Sequence, residues 1–404
     1  MLTREWPPEI YGGAGVHVEH LVEHLRALAQ VDVHCFGQPR PDALAQAVPD
    51  FLTDANPALQ TLGVDLGMVA SIAGSSQEQI DLVHSHTWYT NLAGHISSLL
   101  YDVPHVLTAH SLEPLRPWKR EQLGGGYEVS SWVEATSYQH CDAIIAVSEG
   151  MRTDILTHYS DVDPAKVHVV HNGIDTSVYT PDPSTKALHK FGIDESCPYV
   201  LFVGRITRQK GLIHLLRAAK TFDDDVDLVL CASSPDTPEI ATEVAHAVAE
   251  LQATRRANSV VWIEEHVAKS DLIQLLTHAR VFACPSIYEP LGIVNLEAMA
   301  CETAVVASAV GGIPEVVDNG RTGTLVTYDS HNPGGFEAQF ADAINQLARD
   351  ADKARAFGVE GRKRAVAQFG WDAIAQQTMD VYEWAQRRRD TNNRDTKNRN
   401  DVRA

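Results

Sequence analysis

Two glutamates spaced eight residues apart mark the segment of this sequence best suited to chemistry. Glu289 lies in a loop that a Pro-x-Gly break creates after a predicted strand, and Glu297 lies in the early turns of the helix that follows. The two carboxylates do not share one helical face, so they can contact two different parts of an extended ligand. An acid at a helix start is common on protein surfaces. The first N–H groups of this helix point to where a phosphate would lie, and they belong to Leu291, Gly292 and Ile293.

Two cations in a second strand-to-helix turn strengthen this interpretation. The motif Gly204-Arg205-Ile-Thr-Arg-Gln-Lys210-Gly211 follows a predicted strand and leads into a helix. Arg205 and Lys210 lie next to the free N–H groups of a helix N-terminus, which predicts a clamp for a diphosphate. A solvated basic loop is the alternative, but basic pairs are uncommon in a chain with a formal net charge of −20.

Histidines follow two predicted strands in the first half of the chain. His84 and His86 end one strand and precede Trp88, and His110 precedes Ser111 at the end of the next strand. Open α/β sheets bind ligands at the carboxyl ends of their strands, so these side chains are candidates for ligand contact. His84 and His86 have no third metal ligand at a suitable spacing, so the sequence predicts no metal site.

A glycine-rich turn near the N-terminus leads into a predicted helix, Val16–Ala29. Glycine lets the backbone approach a ligand closely, so Gly13 is a candidate for a phosphate contact at this helix start. Such turns serve helix packing equally often, and both interpretations stay open.

Short, nearly continuous apolar runs alternate with helical patterns, which predicts an α/β fold of two doubly wound parallel sheets. Each sheet takes about half of the runs. The predicted strands are Val31–Phe36, Asp81–Ser85, Val106–Ala109, Ala143–Val147 and Val167–Val170, then Tyr199–Val203, Val226–Cys231, Val260–Ile263, Val281–Cys284 and Ala304–Ala307.

A Gly-, Thr- and Pro-rich segment, Asn172–Pro183, reads as the linker between two domains. We therefore expect a first domain over 1–177 and a second over 178–370. The helix predicted at Gly370–Ala385 is apolar enough to need a surface, so it is expected to return to the first domain as 371–388. The polar residues 389–404 are expected to be disordered.

Charge and composition exclude several classes of protein. The net charge of −20 argues against nucleic acid as a partner, since phosphate backbones need a basic face. No apolar run is long enough to span a bilayer, and Met1–Glu9 lacks the features of a signal peptide, so we expect a cytoplasmic protein without a membrane partner. The six cysteines are scattered and are expected to be reduced thiols.

Taken together, these motifs resemble glycosyltransferase family 4, the retaining enzymes of the two-Rossmann GT-B fold. The resemblance covers Leu2 to Ala385. The segments Arg4–Gly15 and Gly124–Trp132 look like the actinobacterial glycogen synthase and α-maltose-1-phosphate synthase group. The resemblance implies two Rossmann-like domains facing across a cleft, transfer of glucose from ADP-glucose to form an α-1,4 bond, and neither a metal nor a cofactor.

Matched motif by motif, the resemblance implies roles on the donor side. Arg205 and Lys210 would hold the diphosphate together with Gly204 and the loop amides, Glu289 the glucose hydroxyls and Glu297 the ribose hydroxyls. His110 would lie beside the anomeric centre, and Gly13 would contact a phosphate. Ordinary bacterial glycogen synthases carry a lysine before these glycines, whereas here Tyr11 precedes Gly12, so the resemblance does not extend to a lysine contact from the first domain.

The acceptor stays open between α-glucose 1-phosphate and the end of a growing α-glucan. A phosphorylated acceptor needs a cation, and the candidates for acceptor contact are His86, Trp88, Ser111 and Arg116, with Lys119 and Arg120 nearby. An epimerase of the same fold and a non-catalytic glucan-binding protein are the alternatives from other classes. A homodimer is left open.

Overall fold

Buried apolar segments form two parallel sheets in the computed structural model, which describes residues 1–10, 12–75 and 80–401. The first sheet contains β1 (Leu2–Thr3), β2 (His34–Phe36), β3 (Leu44–Gln46), β4 (Val83–His86), β5 (His105–Ala109), β6 (Ala143–Ala146) and β7 (Val167–Val169). The second contains β8 (Tyr199–Arg205), β9 (Asp227–Ser233), β10 (Val260–Ile263), β11 (Val281–Cys284), β12 (Val305–Ser308) and β13 (Gly323–Val326).

Both sheets have the doubly wound topology. The strand orders are β3-β2-β1-β4-β5-β6-β7 and β10-β9-β8-β11-β12-β13. In each sheet the first and fourth strands are neighbours, and the chain winds outward from them in opposite directions. Ligands of such sheets bind at this switch point, beyond the carboxyl ends of the two central strands.

The chain divides into two units, each containing one sheet. Unit 1 comprises Met1–Gly173 and Trp371–Ala404, and unit 2 comprises Ile174–Gly370. The division falls after residue 173, not after the expected residue 177. Ile174 already belongs to unit 2 because its N–H donates to the carbonyl of Phe369 and it forms a parallel bridge with Gly370.

Helices cover the sheets as α/β crossovers require. Unit 1 contains α1 (Gly13–Leu25), α2 (Pro57–Ser75), α3 (Trp88–Tyr101), α4 (Lys119–Leu123), α5 (Gly126–His140), α6 (Glu149–His158) and α15 (Trp371–Asp401). Unit 2 contains α7 (Lys186–Lys190), α8 (Leu212–Ala218), α9 (Pro238–Thr254), α10 (Lys269–His278), α11 (Ile293–Ala300), α12 (Ile313–Val316), α13 (Pro333–Arg349) and α14 (Ala351–Gln368). No helix of the described residues is long and apolar enough to cross a membrane.

The C-terminal helix α15 extends further than the sequence predicts. Residues 389–404 were expected to be disordered, but the helix continues to Asp401. Its first half buries Trp371, Ile374 and Val381 in the core of unit 1. Arg389 then donates to Asp102 at 3.0 Å and to Asp142 at 2.9 Å, which holds the polar part of the helix against the unit.

Helix α14 supports the helix that carries Glu297. A side chain added at Gly358 of α14 would overlap the carbonyl oxygen of Glu302, just beyond α11. Only glycine allows the two segments to approach this closely.

We predict that Gly358→Ala lowers the free energy of unfolding by about 1–3 kcal/mol, the usual cost of overpacking. The matched control is Gly334→Ala in α13, where an added methyl group meets nothing within 4 Å. The control should be neutral or slightly stabilising because alanine favours helices. Urea unfolding of both variants measures the difference, and equal stabilities would contradict the close packing.

Candidate active site

Two loops meet at the switch point of unit 2. One follows β8 and ends at Gly211, and the other follows β11 and begins at Pro285. The loops are joined by a backbone hydrogen bond of 2.9 Å from the N–H of Ile287 to the carbonyl of Gln209. Gly211 has φ +64°, and a side chain there would overlap the carbonyl oxygen of Pro285. The glycine thus brings the cation-bearing loop against the acid-bearing loop.

This contact places Lys210 on Glu289. The Lys210 Nζ lies 2.6 Å from Glu289 Oε2, and the Ser286 hydroxyl donates to the same oxygen at 3.2 Å. The Glu289 side chain is 8% exposed and that of Lys210 is 23% exposed. Burial by itself lowers the pKa of Lys210, but the facing Glu289 carboxylate outweighs it, and the net effect is a raised pKa. Lys210 is therefore a permanent cation at the edge of the sheet.

Arg205 is held by a different acid. Its Nη2 lies 2.5 Å from Asp236 Oδ1, in the loop after β9. Asp236 is tied to the Arg205 loop through a backbone hydrogen bond of 3.1 Å to the carbonyl of Ile206. Both predicted diphosphate cations are thus positioned by carboxylates of their own unit.

The start of α11 adds a group of hydrogen-bond donors. Gly292 caps the helix with φ +91°, a left-handed conformation that favours glycine. The first N–H groups of an α-helix lack the usual partner one turn earlier, and here that of Asn295 bonds instead to the carbonyl of Gly292 at 2.9 Å. The backbone N–H groups of Leu291, Gly292 and Ile293 belong to this helix start, next to Glu289 in the chain.

Glu297 lies one turn further along α11 and is held by Tyr179. The Tyr179 hydroxyl donates to Glu297 Oε1 at 2.9 Å. Burial raises the pKa of Glu297 to about 7, and the hydrogen bond from Tyr179 opposes this rise. Tyr179 lies in the segment predicted only as a linker, so its part in the site was missed.

In unit 1, histidines from three elements converge at the corresponding switch point. His86 ends β4, His110 follows β5, and His17 lies on α1. His86 Nδ1 and His110 Nε2 are 2.9 Å apart, and the His17 and His110 ring centroids are 4.8 Å apart. Burial lowers the pKa of His110 to about 3 and those of His17 and His86 well below the ordinary value, so all three rings are neutral at pH 7.

His84 has a structural role, because its ring links two elements of unit 1. Its ring bonds the Tyr382 hydroxyl at 2.7 Å and the Thr108 hydroxyl at 2.8 Å. Because Tyr382 lies on α15, these bonds join the returning helix to the sheet.

Gly13 begins α1 as expected, but an acid stands close by. The Glu5 carboxylate accepts a hydrogen bond of 2.9 Å from the N–H of Gly12, the cap of this helix. A phosphate at Gly13 would therefore share the helix start with Glu5. Tyr11 lies outside the described residues.

Arg116 and Ser111 are brought together beside His110. Arg116 Nη1 donates to Ser111 Oγ at 2.9 Å, and the guanidinium is 15% exposed. The segment is also fixed by Glu113, whose buried carboxylate accepts a hydrogen bond of 2.7 Å from Ser130 Oγ. Glu134 accepts the Glu113 N–H at 2.8 Å, which fixes the backbone before Arg116.

Two of the predicted acceptor contacts take other roles. Trp88 is buried in an apolar cluster with Ala58 and Leu123, so its ring packs within the unit and presents no face to a ligand. Arg120 is exposed and pairs with Glu128 at 2.6 Å.

Comparison with known proteins agrees with the geometry. Residues 11–178 match the family described as Glycosyltransferase Family 4, and residues 184–364 match Glycosyl transferases group 1. An α-maltose-1-phosphate synthase of Mycolicibacterium smegmatis is 57% identical over 385 residues, which cover 95% of this chain and 98% of the relative. The chain belongs to glycosyltransferase family 4. It is a glycosyltransferase of the GT-B fold, so the epimerase and non-catalytic alternatives no longer apply.

Two more distant proteins share the fold or the family. A D-inositol 3-phosphate glycosyltransferase of Xylanimonas cellulosilytica is 32% identical over 338 residues, covering 80% of this chain and 76% of the relative. The solved structure of a sucrose-phosphate synthase from Thermosynechococcus elongatus superimposes with a TM-score of 0.76 at 25% identity, covering 95% of this chain and 97% of that one.

We predict that Tyr179→Phe raises the KM for the sugar donor about two- to tenfold, the scale of one hydrogen bond, with little change in kcat. The lost bond also raises the pKa of Glu297 further above about 7. Since the ionised carboxylate is the better acceptor, the KM should rise with falling pH, and this rise should start at a higher pH than in the wild type. KM measured against pH tests this.

Tyr199→Phe is the matched control, because its hydroxyl donates to the carbonyl of Leu275 elsewhere in unit 2. A pH profile that moves equally in both variants, or in neither, would contradict the role of Tyr179.

Proposed function

We propose that this chain transfers glucose from ADP-glucose to α-glucose 1-phosphate with retention of the α configuration, forming maltose 1-phosphate for α-glucan synthesis. The observation that carries the proposal is the Lys210–Glu289 ion pair of 2.6 Å next to the N-terminus of α11. In this pair Lys210 supplies a cation for a diphosphate, and Glu289 supplies a carboxylate for sugar hydroxyls beside it.

The donor is bound by unit 2 in this proposal. Lys210, Arg205 and the backbone of Leu291, Gly292 and Ile293 receive the diphosphate. Glu289 Oε1, to which none of the described residues donates, accepts from glucose hydroxyls, while Oε2 stays on Lys210 and Ser286. Glu297 accepts from the ribose hydroxyls. The structural support is that all these groups surround the switch point of one sheet.

The phosphorylated acceptor is supported by relatives and by Arg116. The Mycolicibacterium, Xylanimonas and Thermosynechococcus proteins are all named for a sugar phosphate or an inositol phosphate. In this chain Arg116 is fixed next to His110 by Ser111 and by the buried Glu113 segment. A guanidinium fixed in this way suits a phosphate, which it can contact through two N–H groups.

The reaction we propose needs no nucleophile from the protein. The bond between C1 of glucose and the β-phosphate oxygen breaks, and a bond forms between C1 and O4 of the acceptor on the same face. The O4 proton passes to the departing phosphate oxygen. Lys210, Arg205 and the loop amides stabilise the charge growing on ADP, which is why we propose that no metal is required. Neutral His110 donates a hydrogen bond near the anomeric centre and adds no charge there.

The test is an assay of purified protein with ADP-glucose and either α-glucose 1-phosphate or glycogen, with products identified by mass and phosphorus NMR. We expect an α-configured disaccharide phosphate, formed equally well with a chelator present. Elongation of glycogen without a disaccharide phosphate would replace the proposed acceptor by a glucan. Loss of activity with chelator that Mg²⁺ restores would contradict the metal-independent mechanism.

We predict that Arg116→Gln raises the KM for α-glucose 1-phosphate about ten- to hundredfold, the range for a charged hydrogen bond, and leaves the KM for ADP-glucose within about twofold. Arg120→Gln is the matched control, because Arg120 is exposed and paired with Glu128. Initial rates with each substrate varied in turn separate the two constants. Equal effects of the two substitutions would contradict the role of Arg116.

A further inference from the structure

Three histidines of unit 1 lie in an arrangement that hydrogen bonding does not explain. His17, His86 and His110 come from a helix and two strand ends, and one ring nitrogen from each lies within 4.8 Å of the other two. Within the cluster only His86 and His110 are hydrogen-bonded to each other, at 2.9 Å, and the second ring nitrogen of His86 lies 2.9 Å from Met1 Sδ. Neither ring nitrogen of His17 makes a hydrogen bond of ordinary geometry among the described residues, although His17 is buried, with only 3% of its surface exposed. A buried imidazole without a partner is costly, so a missing ligand is the natural explanation.

The ring spacing matches that of imidazoles around one metal ion. Ring centroids are 5.7 Å apart for His17 and His86, 4.8 Å for His17 and His110, and 5.2 Å for His86 and His110. Three imidazoles bound tetrahedrally with zinc–nitrogen distances of about 2.0–2.1 Å have their centroids about 5 Å apart. Rings packed only by stacking have no reason to keep three similar separations.

The surroundings suit a metal as well. The Asn172 side chain lies against His17, and its buried carboxamide oxygen has no other hydrogen-bond partner among the described residues. This oxygen can accept the second N–H of His17, which is the usual way a ligating histidine is oriented. His110 is the partly exposed member, so the fourth position opens towards solvent.

We propose that His17, His86 and His110 bind one divalent transition-metal ion of the zinc class, with water as the fourth ligand, and that the bound ion inhibits transfer. Nitrogen ligands alone select zinc, copper, nickel or cobalt over magnesium and calcium. Inhibition follows for two reasons. The ion occupies the lone pair of a His110 ring nitrogen and fixes the orientation of that ring, and it places positive charge beside the anomeric centre. The inhibitory effect rests on the proposed function, whereas binding of the ion does not. Inhibition by a metal agrees with the proposed catalysis, which needs none.

The test is a titration of chelator-treated full-length protein with Co²⁺, followed by displacement with Zn²⁺. We expect one ion per chain with the visible absorption of four-coordinate cobalt. His17→Gln should lose this spectrum and bind Zn²⁺ about tenfold or more weakly, a larger effect than is usual for loss of an outer contact. His110→Gln should also lose the spectrum, which keeps the test decisive if circular dichroism shows that His17→Gln is misfolded.

Two other histidines provide the controls. His20 lies one turn along α1 and stacks on Trp371 at 5.5 Å, outside the three ligands. His95 forms a separate histidine pair with His140, with centroids 5.5 Å apart. His20→Gln and His95→Gln should keep the cobalt spectrum. A spectrum that survives His17→Gln and disappears in His95→Gln would overturn the proposal, as would wild-type protein that binds no ion.

Zinc inhibition is measured separately. Transfer by the wild type should fall on addition of one equivalent of Zn²⁺ and return with chelator, while His20→Gln behaves in the same way. Stoichiometric binding without any inhibition would overturn the inhibitory part alone. Protein that binds Co²⁺ as expected but transfers no sugar would instead point to failure of the proposed function.

Discussion

The Lys210–Glu289 ion pair imposes the constraint on which the second unit depends. A half-buried ammonium and a buried carboxylate are tolerated only because each satisfies the other. Their distance of 2.6 Å requires the loops after β8 and β11 to touch, and these loops touch only because the two strands are neighbours and Gly211 has no side chain. Strand order, the left-handed glycine and the helix start of α11 are therefore parts of one arrangement. Arg205 follows the same rule with Asp236, so both cations are positioned by carboxylates of their own unit.

Unit 1 uses the same topology with different chemistry. Its switch point lies between β1 and β4, and neutral histidines occupy the position that charged groups take in unit 2. Arg116 lies on a segment held by the buried Glu113 and Glu134. Burial raises the pKa of Glu134 to about 8, helped by the charge of Glu113. Two buried carboxyl groups thus hold this backbone segment in place at a cost in stability, which is a frequent feature of functional loops.

The sequence predicts the fold well because buried parallel strands are short apolar runs that local pattern reveals. The loops that carry Arg205, Lys210 and Glu289, and the helix start before Glu297, were predictable for a similar reason, since glycine and proline mark them. Contacts between segments far apart in the chain were not predictable. Tyr179 reaches Glu297 across more than a hundred residues, and His17 meets His110 from a helix whose periodicity suggests only core packing. The tail was misjudged because its composition is polar, whereas Arg389 is held by acids that only the folded unit brings near.

Donor turnover by Lys210→Met tests the central claim most directly. This substitution keeps much of the side-chain volume and removes the charge that the account places on the diphosphate. We expect kcat/KM for ADP-glucose to fall about 10²–10³-fold, the scale of losing one preorganised transition-state contact. Lys210→Arg should recover part of the loss, and thermal unfolding shows what fraction of each variant is folded. Folded Lys210→Met protein with nearly normal turnover would contradict the account.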